Sequence, residues 1–334
     1  MISILMASYN YELYIGEAIK SVLNQTWIDF ELLVIDDGSK DGSVALARSF
    51  AEHDPRVRVL QHPDGKNHGL PETLSLGIVE AGGDWIAFLE SDDLWEPECL
   101  ERRMELARQT RADVVLNAIR PLPMPGAGTG WFDIYVPRVM REHERRSIRS
   151  GGAYSLQSSL LVENKIPTFS CAMLKAERLR ACSFAAPVPR WLDWWIWIQV
   201  AQTGLFAFVP AQLTSWRLHA GSYNHKITLK QCIQDNMRLW DGFRGLQESY
   251  RQSGKNYSYW FLQSPFWSRL LARFGMIAYQ SGVFGTLNQI HNRIRKSRGK
   301  IWLHCSLPEV PGSSAPAMSL PAALLVTRSS IWTN

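Results

Sequence analysis

Short apolar runs alternate with longer stretches of helical periodicity through the first hundred residues. Ile2 to Ala7 is a strand-length run, closed by Ser8-Tyr9-Asn10. Ile15, Ala18, Ile19, Val22 and Leu23 then recur at the three- and four-residue spacing of a helix. Phe30 to Ile35 is a second apolar strand, and Asp36 to Ser43 supplies turn residues and a helix start for Val44, Leu46, Ala47 and Phe50. Val57 to Leu60 predicts a third strand, His62 to Gly69 a polar loop, and the segment from near Pro71 to near Gly82 a helix. Trp85 to Leu89 is the fourth strand, and Pro97 stands where the next helix opens. Strands without polar alternation belong to sheets buried on both faces. Their regular alternation with helices implies right-handed crossovers and a mostly parallel α/β sheet.

Candidate chemistry collects where these strands end. Asp36 and Asp37 follow the second strand; Glu90, Asp92 and Asp93 follow the fourth. Ligands of open α/β sheets bind outside the carboxyl ends of the strands. Carboxylates crowded together repel unless a cation or sugar hydroxyls occupy them. The alternative is a solvated acidic turn capping the next helix. Both a glycine-rich dinucleotide fingerprint and a Walker loop are missing, so a nucleotide here needs a metal to neutralise its diphosphate.

Composition narrows the partners. The chain has 334 residues, is 46% hydrophobic and 20% charged, and carries a net charge of +5, which favours anionic ligands such as nucleotide phosphates or a lipid surface. No nucleic-acid module accompanies that charge. Five scattered cysteines without a CxxC pair support neither a zinc site nor a disulfide framework. The first strand begins at once, leaving no room for a signal peptide, and no apolar run reaches spanning length. A cytoplasmic protein is expected, with peripheral contact to the inner face of a membrane left open.

Four ordered elements now carry a resemblance: Ala7-Ser8-Tyr9-Asn10, Val34-Ile35-Asp36-Asp37-Gly38-Ser39-Lys40-Asp41, the segment from Gly69 to Ala81, and Glu90-Ser91-Asp92-Asp93. Together they resemble family 2 glycosyltransferases of the GT-A fold over roughly the first hundred residues. The resemblance implies a nucleotide-diphospho-sugar donor, a UDP-sugar as first guess, and Mg2+ or Mn2+ as cofactor. Ala7 and Tyr9 would flank the nucleotide, Asp36 and Asp37 would bind base or ribose, Asp92 ribose or metal, and Asp93 the metal. Two departures are visible: Glu90 stands where the family usually has Asp, and Leu74-Ser75 where it often has Arg-Asn.

The second half is less regular. Val114-Val115-Leu116 predicts a strand, residues 121 to 131 a Pro/Gly-rich loop, and Arg138, Arg141, Arg145, Arg146 and Arg149 either a basic helix face or a lid over an anionic group. In Arg190-Trp191-Leu192-Asp193-Trp194-Trp195-Ile196-Trp197, the resemblance makes Asp193 the catalytic base; an aspartate at a helix start is equally an N-cap. Trp194 and Trp197 suit the core, while Trp191 or Trp195 could wall an acceptor pocket. Ser215-Trp216-Arg217-Leu218-His219 resembles the family's closing segment, with Arg217 against the diphosphate and His219 at the metal.

The expected organisation is a GT-A domain over 1–225, with a nucleotide-sugar-binding half (1–100) and an acceptor-binding half (101–225). A helical extension over 226–305 and a poorly ordered tail over 306–334 would follow. Phe266 to Ile277 and the basic run Arg293 to Lys300 would pack on the domain or dock on anionic lipid. The expected reaction is metal-assisted, inverting transfer of a sugar to a hydroxyl of a glycan or lipid-linked saccharide, as in polysaccharide biosynthesis. A non-catalytic nucleotide-sugar-binding protein and a sugar nucleotidyltransferase are the alternatives. Oligomeric state, donor sugar and linkage are left open.

Overall fold

The predicted strands and helices of the first half form where the apolar pattern puts them. β1 (Ile2–Ser8) is followed by α1 (Ile15–Leu23), β2 (Phe30–Asp36), α2 (Ser43–His53), β3 (Val57–Gln61), α3 (Leu70–Glu80) and β4 (Trp85–Phe88). A two-residue strand β5 (Leu94–Trp95) leads to α4 (Cys99–Thr110) and β6 (Val114–Pro123). Then come α5 (Gly130–Ser150), α6 (Gln157–Leu160), β7 (Ala172–Lys175), α7 (Ala176–Arg180), α8 (Leu192–Val200) and β8 (Phe206–Leu218). The computed structural model describes residues 1–127, 130–160 and 163–219, with scattered positions between 231 and 245. The helical extension and tail expected beyond 225 lie almost wholly outside the described residues.

Eight strands make one sheet in the order β3-β2-β1-β4-β7-β6-β8-β5. β1, β2, β3 and β4 run parallel, with Ser8 level with Asp36 and Leu5 opposite Phe88. β7 is antiparallel to both β4 and β6, so the sheet reverses direction beside β4. A crevice at such a reversal is where open α/β sheets take ligands. Side chains alternate between two cores as the strand period requires. Leu5, Leu33, Ile35 and Phe88 pack with Leu74, Ile78 and Trp197 on one face. Ile4, Met6, Leu32 and Val34 pack with Ile15, Ile19, Leu100 and Met104 on the other.

One expectation fails at its boundary. β6 continues to Pro123, through the first part of the expected loop. It pairs with β7 only over Val114–Leu116 and with β8 along its length. At Pro121 and Pro123 one edge therefore has no strand partner, the setting in which a sheet tolerates proline.

The inner face of α5 buries His143 between the Tyr154 hydroxyl (Nδ1, 2.9 Å) and the Lys165 carbonyl (Nε2, 2.7 Å). A carbonyl only accepts, so Nε2 donates; in the neutral ring Nδ1 then takes the tyrosine proton. Burial pushes its pKa down to about 4, from an ordinary 6.5. The unfolded chain therefore binds a proton that the native chain refuses. This contribution is whole above pH 6.5 and is lost as pH falls toward 4, to a total of about 3 kcal/mol. Between pH 7 and 5 the urea midpoint of wild type should therefore fall relative to that of His143→Gln, whatever the groups common to both proteins contribute. Parallel midpoint curves for the two proteins would show that folding leaves the proton affinity of the ring unchanged.

Candidate active site

β4 ends where the Leu89 amide donates to the Leu5 carbonyl, and the chain turns tightly through Glu90 to Asp93. The Ser91 hydroxyl ties this turn to the end of β1 by donating to the Ala7 carbonyl (2.6 Å). Carboxylate oxygens of Glu90, Asp92 and Asp93 lie within 4.8 Å of one another. Asp93 is fully buried: its Oδ1 accepts from the Arg217 amide (2.9 Å), and its Oδ2 has no partner among the described residues. Glu90 Oε2 accepts from the Thr168 hydroxyl (2.6 Å). Burial, then the charge of Asp92, pushes the Glu90 carboxyl up to about 8; burial, then Asp92 and Glu90, raises Asp93 well above the carboxylate range. Three hard oxygen donors and an orphaned buried oxygen fit a divalent cation of the Mg2+ or Mn2+ kind.

The turn is clamped from two sides. Arg217 donates its Nε to the Asp92 carbonyl (2.7 Å) and its Nη2 to Glu17 (2.6 Å), and lies over the Tyr14 ring at 4.9 Å. His219 Nε2 stands 3.0 Å from Asp92 Oδ2, so its contact is with that carboxylate. From the other side, the Ser170 hydroxyl accepts from the Glu90 amide (3.0 Å) and lies near enough to Asp93 to lower its pKa against the effect of burial. The Ser170 carbonyl in turn accepts from Arg103 Nη2 (2.7 Å), Trp95 Nε1 (2.7 Å) and Thr214 (3.2 Å). Arg103 is a fully buried cation whose hydrogen bonds all go to neutral oxygens, those of Asn117, Ser170 and Thr214.

Asp36 and Asp37 sit at the same end of the sheet, Asp36 as the last residue of β2 and Asp37 just beyond it, with β1 between β2 and β4. Two strand spacings, roughly 10 Å, separate the strands that bear the acidic pairs. Asp36 Oδ2 accepts from the Gly38 and Ser39 amides (3.1 Å each), and its buried Oδ1 has no partner. Asp37 is more heavily engaged: His68 N (2.7 Å), Asn67 Nδ2 (2.8 Å) and Gly69 N (3.0 Å) all donate to it. It therefore fastens the 62–69 loop. Gly38 has a φ of +77°, and a Cβ there would stand 2.6 Å from the Lys66 carbonyl carbon, so the loop needs glycine at that point. A recess of about 420 Å³ lies beside this loop, lined by His62, His68, Glu72, Ser75 and Phe184. Tyr9 is exposed just beyond β1, while Ala7 is part-buried with its carbonyl held by Ser91.

Asp193 lies within the first turn of α8; the N-cap position is Trp191. Its Oδ2 accepts from the Asn164 amide (2.8 Å), and its charge reaches Glu90, whose pKa it raises further. Burial pushes Asp193 up to about 6, against hydrogen bonds from the Trp194 amide and Asn164. Phe169 and Trp197, with ring centroids 5.6 Å apart, join α8 to the segment bearing Ser170. Trp194 and Trp197 are core residues, as expected. Trp195 is buried too, because its indole donates to the Ser183 carbonyl (2.9 Å) and its ring stacks on Phe243. Trp191 alone of the four stays partly exposed.

Several participants escaped sequence reasoning. The Tyr11 hydroxyl bonds Asp92, and burial with the charges of Asp92, Glu90 and Asp93 raises its pKa. Tyr14 packs on His219 at 4.9 Å. The spacing Tyr9, Tyr11, Tyr14 behind a strand end was the available signal. Thr168 and Ser170 had none, since a single hydroxyl residue in a loop is featureless in sequence.

Residues 3–177 match the model of Glycosyl transferase family 2, more than half of the chain. The chain belongs to that family. An uncharacterized glycosyltransferase of Haemophilus influenzae is 38% identical over 109 residues, covering 33% of this chain and 43% of the relative. The putative glycosyltransferase EpsH of Bacillus subtilis is 36% identical over 116 residues, 35% of this chain and 33% of the relative. The chain thus spans less than half the length of these relatives. Among solved structures, Staphylococcus aureus TarS with UDP-GlcNAc superposes with a TM-score of 0.55 at 17% identity, over 71% of this chain and 66% of that one. The mannosyltransferase PcManGT of Pyrobaculum calidifontis, with GDP-Man and Mn2+, gives 0.52 at 14% identity, over 90% and 76%. At those identities the likeness is one of fold: the GT-A fold.

Proposed function

We propose that the protein transfers a sugar from a nucleotide-diphosphate donor to a hydroxyl of a glycan or lipid-linked saccharide, with inversion. The observation that carries this reading is the buried, partnerless Asp93 Oδ2 among three crowded carboxylates, with Asp193 within electrostatic reach. Glu90, Asp92 and Asp93 would hold the cation, which offsets negative charge on the departing diphosphate. Tyr9 and the Asp36/Asp37 end of β2 would receive the nucleoside. Asp193 would take the proton of the acceptor hydroxyl as its oxygen attacks the anomeric carbon opposite the leaving group. A carboxyl with a pKa near 6 is ionised at pH 7 yet basic enough to accept that proton. Asn164 and the Trp194 amide hold it in place. Arg217 keeps the acidic turn in register with the end of β8, and is already committed to Glu17 and Asp92.

UDP-sugars are the first donors to test, followed by GDP-sugars. Release of nucleoside diphosphate, measured with Mn2+, Mg2+ or chelator and with saccharide acceptors, should single out one donor class and cease in chelator. Donor binding without release under any of these conditions would leave a nucleotide-sugar-binding protein in place of an enzyme.

A further inference from the structure

α5 has two faces of opposite character. Phe132, Val136, Val139 and His143 are buried against the sheet. At about 100° per residue, Ile134, Arg138, Arg141, Arg145, Ile148 and Arg149 fall on the opposite side, within an arc of about 100°. No acidic residue shares that arc: Asp133 and Glu144 stand to one side, and Glu142, on the other, pairs with Lys165 and Arg146. Arg138 reaches round to Glu163, whereas Arg141, Arg145 and Arg149 are exposed and have no acidic partner among the described residues. Ile134 and Ile148 are 48% and 75% exposed and lie about 21 Å apart along the axis, one toward each end of the arginine row.

We propose that this outer face of α5 docks on a bilayer containing anionic lipid. Arginines would meet the phosphates while the two isoleucines enter the layer beneath them, the mode of an in-plane amphipathic helix. A soluble polyanion would answer the arginines but gives no role to two exposed isoleucines on the same face. The position of the helix adds a consequence. The helix holds the 163–165 segment through Arg138, which reaches round to Glu163, and from its inner side through Tyr135 to the Asn164 carbonyl and His143 to the Lys165 carbonyl. Asn164 in turn holds Asp193. A surface under α5 thus lies about one helix diameter, ~10 Å, from the segment that sets Asp193. An acceptor anchored in that surface would be delivered beside the base; this last step rests on the sugar-transfer reading, whereas the docking does not.

The test is sedimentation of the full chain with vesicles of phosphatidylcholine alone or mixed with phosphatidylglycerol, without donor or acceptor. Wild type should bind the mixed vesicles only, and more weakly as salt rises. The triple variant Arg141→Gln/Arg145→Gln/Arg149→Gln should partition roughly a hundredfold less, at about 1 kcal/mol for each basic residue near the surface. Ile134→Ser/Ile148→Ser should also weaken binding measurably. Diphosphate release with a soluble acceptor should be unchanged in both variants, which separates this surface from the catalytic reading. Full binding by the triple variant, or no binding by wild type, overturns the proposal. So does vesicle binding that ignores the isoleucines, which would assign the face to a soluble polyanion.

Discussion

Asp193→Asn should lower the rate of sugar transfer by about two to four orders of magnitude, the usual worth of a positioned general base. Nucleotide binding should change little, because the donor would be held at the ends of β1, β2 and β4. The substitution is nearly isosteric, and the new side chain can present its oxygen to the Asn164 amide while Asn164 keeps its bond from the Ile166 amide. Fold stability is therefore expected to stay close to wild type. The pH profile gives an independent reading of the same group. With a pKa near 6, the base is lost by protonation as pH falls, so wild-type turnover should drop about tenfold per unit below that value. The residual activity of Asp193→Asn should lack this limb. Transfer at near wild-type rate in the variant would remove Asp193 from the chemistry.

Asp93→Asn should have an opposite pair of effects: a loss of transfer and a gain of stability without metal. The wild-type carboxylate is fully buried beside two others and leaves one oxygen unpaired. Replacing it with an amide removes a repelling charge, supplies a donor toward Asp92 and Glu90, and keeps an oxygen for the Arg217 amide. In chelator, at a pH high enough for these carboxyls to be ionised, the variant should be more stable by about 1–3 kcal/mol, the cost of one unsatisfied buried polar group. Added Mn2+ should stabilise wild type and leave the variant unmoved. The sign with pH follows. Glu90 and Asp93 bind protons more tightly folded than unfolded, so metal-free wild type gains stability as pH falls from about 8 toward the ordinary carboxylate range. The variant should gain less. A variant less stable than wild type in chelator would mean that Asp93 is satisfied as it stands.

The parallel half of the fold was readable because its signals are redundant. β1, β2 and β4 are mainly apolar runs, broken only by Ser3 and Glu31 before their last residues, and β2 and β4 each lead into a pair of aspartates that marks the edge of the sheet. The antiparallel half offers no such repetition. β7 is four residues long and follows a single turn of helix, below the length at which periodicity says anything. β8 carries Pro210 in its middle, and β6 carries prolines that only its one-sided pairing explains. The acidic residues themselves were easy to see, but their employment was not. Asp37 gives both oxygens to the 62–69 loop, and Arg217 is spent on Glu17 and the acidic turn; these are long-range bonds with no trace in local spacing. Glu90, which stands where the family usually has Asp, is one of the three carboxylates of the cluster.

The stretch from Asn164 to Ser170 touches both halves of the crevice within seven residues. Asn164 orients Asp193, whereas Thr168 and Ser170 brace Glu90 and Asp93. Evolution is accordingly not free to exchange the back of this protein as an independent cassette. A relative's acceptor region spliced in downstream of Arg111 would carry its own version of that strap and would disturb the acidic turn in the same stroke. Chimeras that keep donor preference while altering acceptor choice should tolerate junctions after Cys171 better than junctions before Asn164.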